Sequence, residues 1–323
     1  MRSELLVPLT VLGLVALAGI FAPWLAPHDP LEQPDVVAGR HLPPLSTRWA
    51  VQEKFRWHLA ERVEQTDGIL VLENGQHSRE VPLERALNLS ADGAPERRLF
   101  LLGSDRMSRD VFSRLLYGAR LSLTIGVFSL LLTTVIGVAV GAAAALGPRW
   151  LDQVLMRGVD GMMTFPWLVL LIILVAFFPA NGTLALVLLL GCTAWPGVAR
   201  LVRGEILSLK ERDFVAAARC LGAPPLRIFL KHLLPNVVPP LLVDATLRVT
   251  GLIILESTLS FLGFGVQPPR PTWGNMIAES RESMTDAWWV GLFPGLALVA
   301  TVIALAVLSD RLQDGLSPRE KAG

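Results

Sequence analysis

The segment that decides the fold is residues 213–236, DFVAAARCLGAPPLRIFLKHLLPN, a short basic stretch between two long apolar runs. The alanines at 216–218 favour helix, and Gly222 is placed to end it. Pro224 and Pro225 suit the first turn of a second helix, where a missing N–H costs little. The segment therefore predicts two short helices joined by a tight turn outside the lipid, a shape suited to docking in a groove of another protein. A solvated loop with helical content is the alternative.

The second of these helices carries two basic residues, Arg227 and Lys231, at a spacing of four that places them on one face. Pro235 is expected to begin the return of the chain to the membrane.

The composition of the whole chain is that of a membrane protein. Of its 323 residues 52% are hydrophobic, the mean hydropathy is +0.50, and only 18% are charged, against about 25% in soluble domains. A net charge of +1 gives no general attraction to nucleic acid. Cys192 and Cys220 have no metal-ligand spacing, so we predict no metal site.

Six apolar runs predict six transmembrane helices, since a bilayer core of about 30 Å needs about 20 helical residues. We favour a retained span over a signal peptide for the first run, because it is longer than the apolar region of a signal peptide. The six runs are residues 5–26, 121–146, 158–178, 183–199, 233–262 and 287–309.

Basic residues fix the expected orientation, because they collect in short cytoplasmic loops. With both termini in the cytoplasm, the short outer loops contain only Arg270 and Arg281, and all other short-loop arginines and lysines lie inside. This predicts a multi-pass protein of the inner (plasma) membrane. We divide it into a first span (1–27), an extracytoplasmic insertion (28–105), a core of five spans (106–310) that includes the cytoplasmic loop 203–235, and a cytoplasmic tail (311–323).

The insertion is predicted to be a small α+β unit. Residues 47–65 have helical spacing, whereas 68–83 reads as a hairpin because Asn74-Gly75 lies between apolar runs. Residues 265–276, rich in Pro and Gly, are expected to form a rigid outer element with Trp273 at the lipid–water boundary. A contact surface for a delivery protein is the alternative for this element.

Three ionisable residues interrupt the fifth span: Asp244, Arg248 and Glu256. Charges in lipid are costly and commonly mark a function, so we expect these three to face the bundle interior near a polar translocation path. A purely structural pair that locks helix to helix is the alternative. In the second span, Gly137 and Gly141 form a G-x-x-x-G pattern that predicts close helix packing within the subunit.

Several segments in order resemble one family of transport proteins. Ala216-Ala217-Ala218, Gly222 and the ending His232-Leu233-Leu234-Pro235 are similar to the cytoplasmic E-A-A loop of ABC importer permeases, with Ala216 in place of the family's glutamate. LGSDRMSRDVFSRLLYGARLSL (102–123), ESTLSFLGFGVQPPRPTWGNM (256–276) and the terminal DGLSPR look like the dipeptide and oligopeptide permeases.

This resemblance implies the type I ABC importer permease fold and the function of a permease subunit of an ATP-driven importer for di- or oligopeptides. It also implies the partners: a second homologous permease, two cytoplasmic ATPases and an extracytoplasmic substrate-binding protein. The expected coupling residues are Ala216, Ala217, Ala218, Gly222, Arg227, Lys231, Leu234 and Pro235.

No catalytic residue or cofactor site is predicted in this chain. None of the four lysines follows a glycine, so no phosphate-binding P-loop is present, and any ATP hydrolysis must come from a separate subunit. The alternative function is a secondary transporter or channel without an ATPase partner. It predicts inverted repeats and broken helices at mid-membrane, and it leaves the docking segment 213–236 unexplained.

Overall fold

The computed structural model describes residues 2–54, 56–66, 68–75, 77–89, 94–177 and 182–316. Within these ranges a bundle of long helices carries a β-structured insertion between its first two long helices. The helices are α1 (Arg2–Ile20), α2 (Ala22–Leu25), α3 (Val111–Leu146), α4 (Arg149–Thr164), α5 (Trp167–Phe177), α6 (Thr183–Lys210), α7 (Asp213–Cys220), α8 (Pro225–Ile228), α9 (Leu234–Phe261), α10 (Trp273–Glu279) and α11 (Trp289–Leu316).

Four helical segments in the described ranges are long and apolar enough to cross a membrane: Val111–Leu146, Thr183–Lys210, Pro225–Phe261 and Trp289–Gly315. They correspond to the second, fourth, fifth and sixth predicted runs. The apolar part of α1, Leu5–Ile20, is a shorter helix. The last span continues to Leu316, beyond the boundary predicted for the tail, whose remaining residues lie outside the described ranges.

The third predicted run is not one straight helix. Its residues are divided between α4 and α5, which meet at an angle of 90° and together pass as one broken span. The break falls at Phe165, which is extended (ψ 136°), directly before Pro166. Proline disfavours helical backbone in the residue before it, which explains the break. The uniformly apolar composition of the run gave no indication of this turn.

The bundle is centred on α3 and α6. A Cβ atom on Gly137 would lie 2.4 Å from Val198 Cβ, and one on Gly141 would lie 2.5 Å from the carbonyl oxygen of Ala199. These distances confirm the predicted close packing, because only glycine leaves room for the two backbones at this separation.

The insertion consists of two antiparallel three-stranded sheets. One has the order β2 (Arg56–Ala60), β1 (Ser46–Glu53), β6 (Glu96–Phe100), and the other has β3 (Arg62–Thr66), β4 (Ile69–Asn74), β5 (His77–Pro82). Side chains from both sheets form one small core: Val51, Ala60, Leu70, Leu72 and Val81. The hairpin predicted at Asn74-Gly75 is confirmed, since Asn74 pairs with His77 and Gly75 has φ +58°.

The helix predicted over residues 47–65 is wrong, because this segment forms β1, β2 and β3. Its β-branched and aromatic residues, such as Trp49 and Val51, fit a half-buried sheet. The pairing that completes the sheet is non-local, with Ser46 opposite Phe100. Local periodicity contains no information about that partner strand.

The outer segment at 265–276 also differs from its prediction. Trp273 is only 1% exposed and lies against Gly118 of α3, where its Nε1 donates to the carbonyl of Leu115 at 3.3 Å. Thr272 and Asn275 form a capping box that starts α10. The tryptophan is therefore a packing residue of the bundle and not an anchor at the lipid surface.

Candidate functional site

The first of the two predicted short helices is present as α7, whereas the second, α8, is a single turn that runs on towards α9. We call residues 213–235, which comprise α7, α8 and the turns around them, the elbow. Between the two helices, Gly222 has φ +74°. The N–H of Ala223 donates to the carbonyl of Ala218 (3.1 Å), and that of Gly222 donates to Arg219 (2.9 Å). This pair of bonds is a Schellman motif, which needs a left-handed residue and so favours glycine at position 222.

Beyond Gly222 the chain returns to the bundle earlier than predicted. Pro225 starts α8, a π turn follows over Phe229–Leu233, and α9 continues from it, so that Pro225–Phe261 is one helical segment. The prediction that Pro235 begins the return is therefore wrong. Proline lacks an N–H, and the wide π turn, in which Leu234 N–H bonds to Phe229, shifts the hydrogen-bond register just before it.

One face of the elbow is firmly packed on the bundle. Val215 and Leu233 are fully buried, and Ala218 and Ile228 are nearly so. They share a core with the ends of α3 and α6, formed by Ala142, Ala145, Val202 and Ile206. Because this contact is apolar and buried, the elbow and the ends of these two helices form one packed unit.

The other face of the elbow is exposed and mixes apolar with basic side chains. Leu221 is 87% exposed and Leu226 is 68% exposed. Of the predicted coupling residues, Ala218 is buried, Leu234 is half-buried, and the following are exposed: Ala216, Ala217, Gly222, Arg227, Lys231 and Pro235. Exposed large apolar side chains beside cations are typical of an interaction surface.

Contacts that the sequence analysis missed hold this region to its neighbours. Lys210 Nζ donates to the carbonyl of Ala145 at 2.6 Å and so satisfies the C-terminus of α3. Arg203 binds Asp152 of α4 through two hydrogen bonds of 2.5 and 2.6 Å. The partners in each contact are about 50 or more positions apart in sequence. The only sequence signal for these contacts was that Lys210 and Arg203 lie at the end of a span.

With this geometry in place, comparison with known proteins identifies the family. The model of the binding-protein-dependent transport system inner membrane component matches residues 134–322. The chain belongs to this family. A second model, the N-terminal TM domain of oligopeptide transport permease C, matches residues 6–44.

Relatives of the permease carry peptide-transport names. A putative peptide permease protein of Brucella ovis is 42% identical over 219 residues, which are 67% of this chain and 72% of that one. The di/tripeptide transport system permease protein DppC of Pseudomonas aeruginosa is 34% identical over 312 residues, 95% of this chain and 86% of that one. A solved inward-facing MetNI methionine ABC transporter shares the fold, with a TM-score of 0.53 and 23% identity over 63% of this chain and 96% of that one.

Family membership decides between the alternatives left open by the sequence. The chain is a multi-pass permease subunit of an ATP-driven importer with the type I permease fold, and not a secondary transporter or channel. It is not an enzyme, because ATP is hydrolysed by a separate subunit in this family. The family works with ATPase and binding-protein partners and in general with a second permease.

The structure brings two of the three intramembrane charges of the permease together. Arg248 Nε donates to Asp244 Oδ2, and Arg248 Nη1 lies 3.5 Å from the carbonyl of Ala194 in α6. A Cβ on Gly197 would be 2.6 Å from the guanidinium, so this glycine makes room for it. The pair thus contacts α6, yet each side chain remains about a quarter exposed, 25% for Asp244 and 24% for Arg248.

Glu256 does not join this pair. It is completely buried, and its carboxylate accepts hydrogen bonds from Ser260 (2.8 Å) and from Ser122 of α3 (3.0 Å). Ser122 Oγ also accepts the N–H of Trp273 at 3.4 Å. Eight residues separate Glu256 from Arg248, about 12 Å along a helix, so Glu256 belongs to the junction of α3, α9 and α10.

A second charge cluster of the permease was not foreseen. Asp105, Arg109 and Arg114 are almost entirely buried, and Glu279 is 14% exposed, where the segment before α3 meets α10. The first three stand at the start of a long apolar helix, within the segment that resembles peptide permeases. That position was a signal for buried charge, but the sequence could not indicate that Glu279 was the partner.

Proposed function

We propose that this permease carries di- or oligopeptides and that its elbow transmits the motion of cytoplasmic ATPases to the membrane helices. Support for the cargo comes from the relatives named as peptide permeases, one of which aligns with 95% of the chain. The observation that carries the coupling role is the two-sided elbow: one face shares a core with α3 and α6, and the other presents Leu221, Leu226 and two cations to the exterior of the subunit.

In the complete importer, a second homologous permease would form the other half of the path, two ATPases would bind the two elbows, and a substrate-binding protein would deliver cargo outside. The elbow and both termini lie in the cytoplasm and the insertion lies outside, an orientation supported by the distribution of basic residues. We also propose that α1 and the bent pair α4–α5 complete six spans.

The proposed mechanism follows from the buried face of the elbow. Closure of the ATPases on ATP pushes the elbow, and because Val215 and Leu233 are packed in the core of α3 and α6, these helices tilt with it. The path then opens alternately to the two sides. ATP and cargo each act by stabilising one of the two packings.

We propose that Asp244 and Arg248 face this path. The support is their partial exposure on a span, because a charged pair that faced lipid would carry a large penalty. Neither Glu256 nor its serine partners reach the same surface, so the proposal is restricted to the pair.

Co-purification from mild detergent tests the coupling role. The wild-type chain should bring along a P-loop ATPase and a second permease. Leu226→Asp introduces a charge on the exposed face of the elbow and should release the ATPase but keep the second permease. Leu87→Asp, at a leucine of similar exposure (64%) in the insertion, is the matched control and should release neither. Retention of the ATPase by Leu226→Asp, or peptide uptake that is independent of ATP, would refute the role.

A further inference from the structure

Two cavities border the first half of α3 at the end of the bundle opposite the elbow. The first, about 480 Å³, is an apolar groove between Leu12, Val15 and Ala16 on one side and Val127 and Phe128 on the other. The second, about 900 Å³, is lined by prolines and leucines together with polar groups that include Asp29, Tyr117 and Arg270. Arg120 and Thr124 line both cavities, so the two adjoin at these residues. We call the pair of cavities the outer groove.

The level of Arg120 in the membrane follows from the length of α3. The residues from Leu121 to Leu146 extend about 39 Å at 1.5 Å per residue, which exceeds a hydrocarbon core of about 30 Å. Arg120 therefore lies at the outer boundary of the lipid in the proposed orientation. Gly19, at the end of α1, is at the same level, since a Cβ there would be 3.0 Å from Arg120 Cα.

The charges of the polar cavity form an unbalanced set. Arg120 and Arg270 are exposed and have no ion pair within the described part of the chain. Asp29 is exposed too, and its Oδ1 accepts only the N–H of Leu31, at 2.8 Å. Two guanidiniums and one carboxylate match a phosphate beside an ammonium group, because arginine binds phosphate in a bidentate manner.

The length and the apolar lining of the first cavity fit a hydrocarbon chain. From Arg120 to Phe128 the groove is about 12 Å long, close to the thickness of half a bilayer core. A methylene chain fits this space, and its burial there would gain little relative to lipid, because both surroundings are apolar. Selectivity must therefore come from the headgroup.

We propose that the outer groove is a binding site for one phosphatidylethanolamine molecule of the outer leaflet. Arg120 and Arg270 hold its phosphate, Asp29 holds its ammonium, and one acyl chain lies between α1 and α3. The lipid therefore fills the space between α1 and the core of the permease. This inference requires that α3 spans the membrane and is independent of the cargo and of the elbow.

Native mass spectrometry of the full-length permease tests the proposal. The protein is reconstituted in nanodiscs of equal parts phosphatidylethanolamine and phosphatidylglycerol, extracted in mild detergent, and its retained lipids are counted. The wild type should retain one phosphatidylethanolamine per chain. Arg120→Gln should lower the retained fraction by about tenfold, since the loss of one charge-assisted bond to the phosphate is worth at least about 1.4 kcal/mol.

Two matched pairs of variants separate the site from general lipid contact. Arg149→Gln removes an exposed arginine at the start of α4, just beyond the opposite end of α3, and should retain the lipid. Ala16→Phe fills the apolar groove and should lose it, whereas Leu17→Phe, on the exposed face of the same helix, should not. Ala16→Phe tests the site even if Arg120→Gln fails to fold.

The following results would contradict the proposal. Retention by Arg120→Gln and Ala16→Phe at the wild-type level, or equal loss in Arg149→Gln, would overturn the site. If the wild type and Asp29→Asn retained phosphatidylglycerol to the same extent, the assignment of Asp29 to the ammonium of the headgroup would be overturned. Crosslinking of Ala16→Cys to another protein chain instead of to lipid would show that a partner helix occupies the groove.

Discussion

Arg109 Nη2 lies 2.5 Å from Glu279 Oε2, a contact that joins the segment before α3 to the last residue of α10. The same carboxylate oxygen is 3.0 Å from Arg114 Nη2. Asp105 Oδ2 is 2.6 Å from Arg109 Nε. The four buried charges balance, and they fix α10 against the start of the second long helix. This end of the bundle therefore depends on a small electrostatic cluster as well as on apolar packing.

Replacement of Glu279 should strongly destabilise this end of the permease. Glu279→Gln leaves two nearly buried arginines with only Asp105 as counter-charge, and breaking a buried pair in this way costs about 3–5 kcal/mol. The expected result is a lower unfolding temperature in detergent and a lower amount of protein in the membrane. Glu282→Gln is the matched control: its ion pair with Arg106 is exposed, so its loss should cost about 0–1 kcal/mol. Similar melting temperatures for the two variants would show that the buried cluster is energetically unimportant.

Gly222→Val should reduce transport without preventing membrane insertion. A Cβ at this position meets no atom within 4 Å, so the cost arises from the left-handed backbone at φ +74°, about 1–2 kcal/mol. The strain acts at the turn between α7 and α8 and should separate ATP hydrolysis from peptide uptake. Gly222→Asn should transport normally, because asparagine tolerates this conformation. Gly204→Val, in the open middle of α6, is the steric control. Wild-type uptake by a well-expressed Gly222→Val variant would contradict the coupling mechanism.

Gly137→Ala should loosen the contact between α3 and α6. The added methyl group would lie 2.4 Å from Val198 Cβ, and overpacking of this kind costs about 1–3 kcal/mol. Thermal unfolding in detergent should show the loss. Gly158→Ala introduces the same group on α4 where nothing lies within 4 Å, so it should leave the unfolding temperature nearly unchanged. Equal effects would mean that the close approach at Gly137 does not limit stability.

Two variants of the Asp244–Arg248 pair distinguish a role in the translocation path from a purely structural role. Asp244→Asn leaves Arg248 without its partner, and both transport and protein abundance should fall. The exchanged double variant, Asp244→Arg with Arg248→Asp, restores a pair at the same i,i+4 spacing. If the pair faces the path, abundance recovers and uptake stays low. Recovery of both would assign the pair to helix packing alone.

The insertion should lose stability as the pH falls below about 6.5. Burial of His58, whose side chain is 6% exposed, lowers its pKa from 6.5, and Arg79 adds to this shift, whereas Asp35 and Glu53 oppose it. The unfolded chain then binds more protons than the folded one, so the stability present above pH 6.5 declines below it. Hydrogen exchange of β1 and β2, corrected for intrinsic rates, should show less protection at pH 5.5 than at pH 7.5.

His58→Gln is the variant that isolates this effect. It should reduce the pH dependence of exchange in β1 and β2, and His77→Gln, at an exposed position in β5, should not. The same pH dependence in wild type and His58→Gln would assign the loss of protection to other groups, such as His41, whose pKa burial also lowers.

The elbow could be predicted because its determinants are local. Gly222 specifies a left-handed turn, Pro225 specifies a helix start, and both act within a few residues whatever surrounds them. The hairpin at Asn74-Gly75 and the close packing at Gly137 were predictable for the same reason, since backbone geometry and side-chain size are properties of the residues themselves.

The remaining features depended on partners distant in the chain. The pairing of β1 with β6, the burial of Trp273 and the bond between Arg109 and Glu279 join segments separated by dozens to more than 150 residues. The sequence by itself determined the membrane class, the apolar runs and the shape of the elbow, because hydropathy and backbone preference are local. Only the tertiary structure decided which strands pair, which charges neutralise each other and which cavities form, because those depend on surfaces that meet only when the chain is folded.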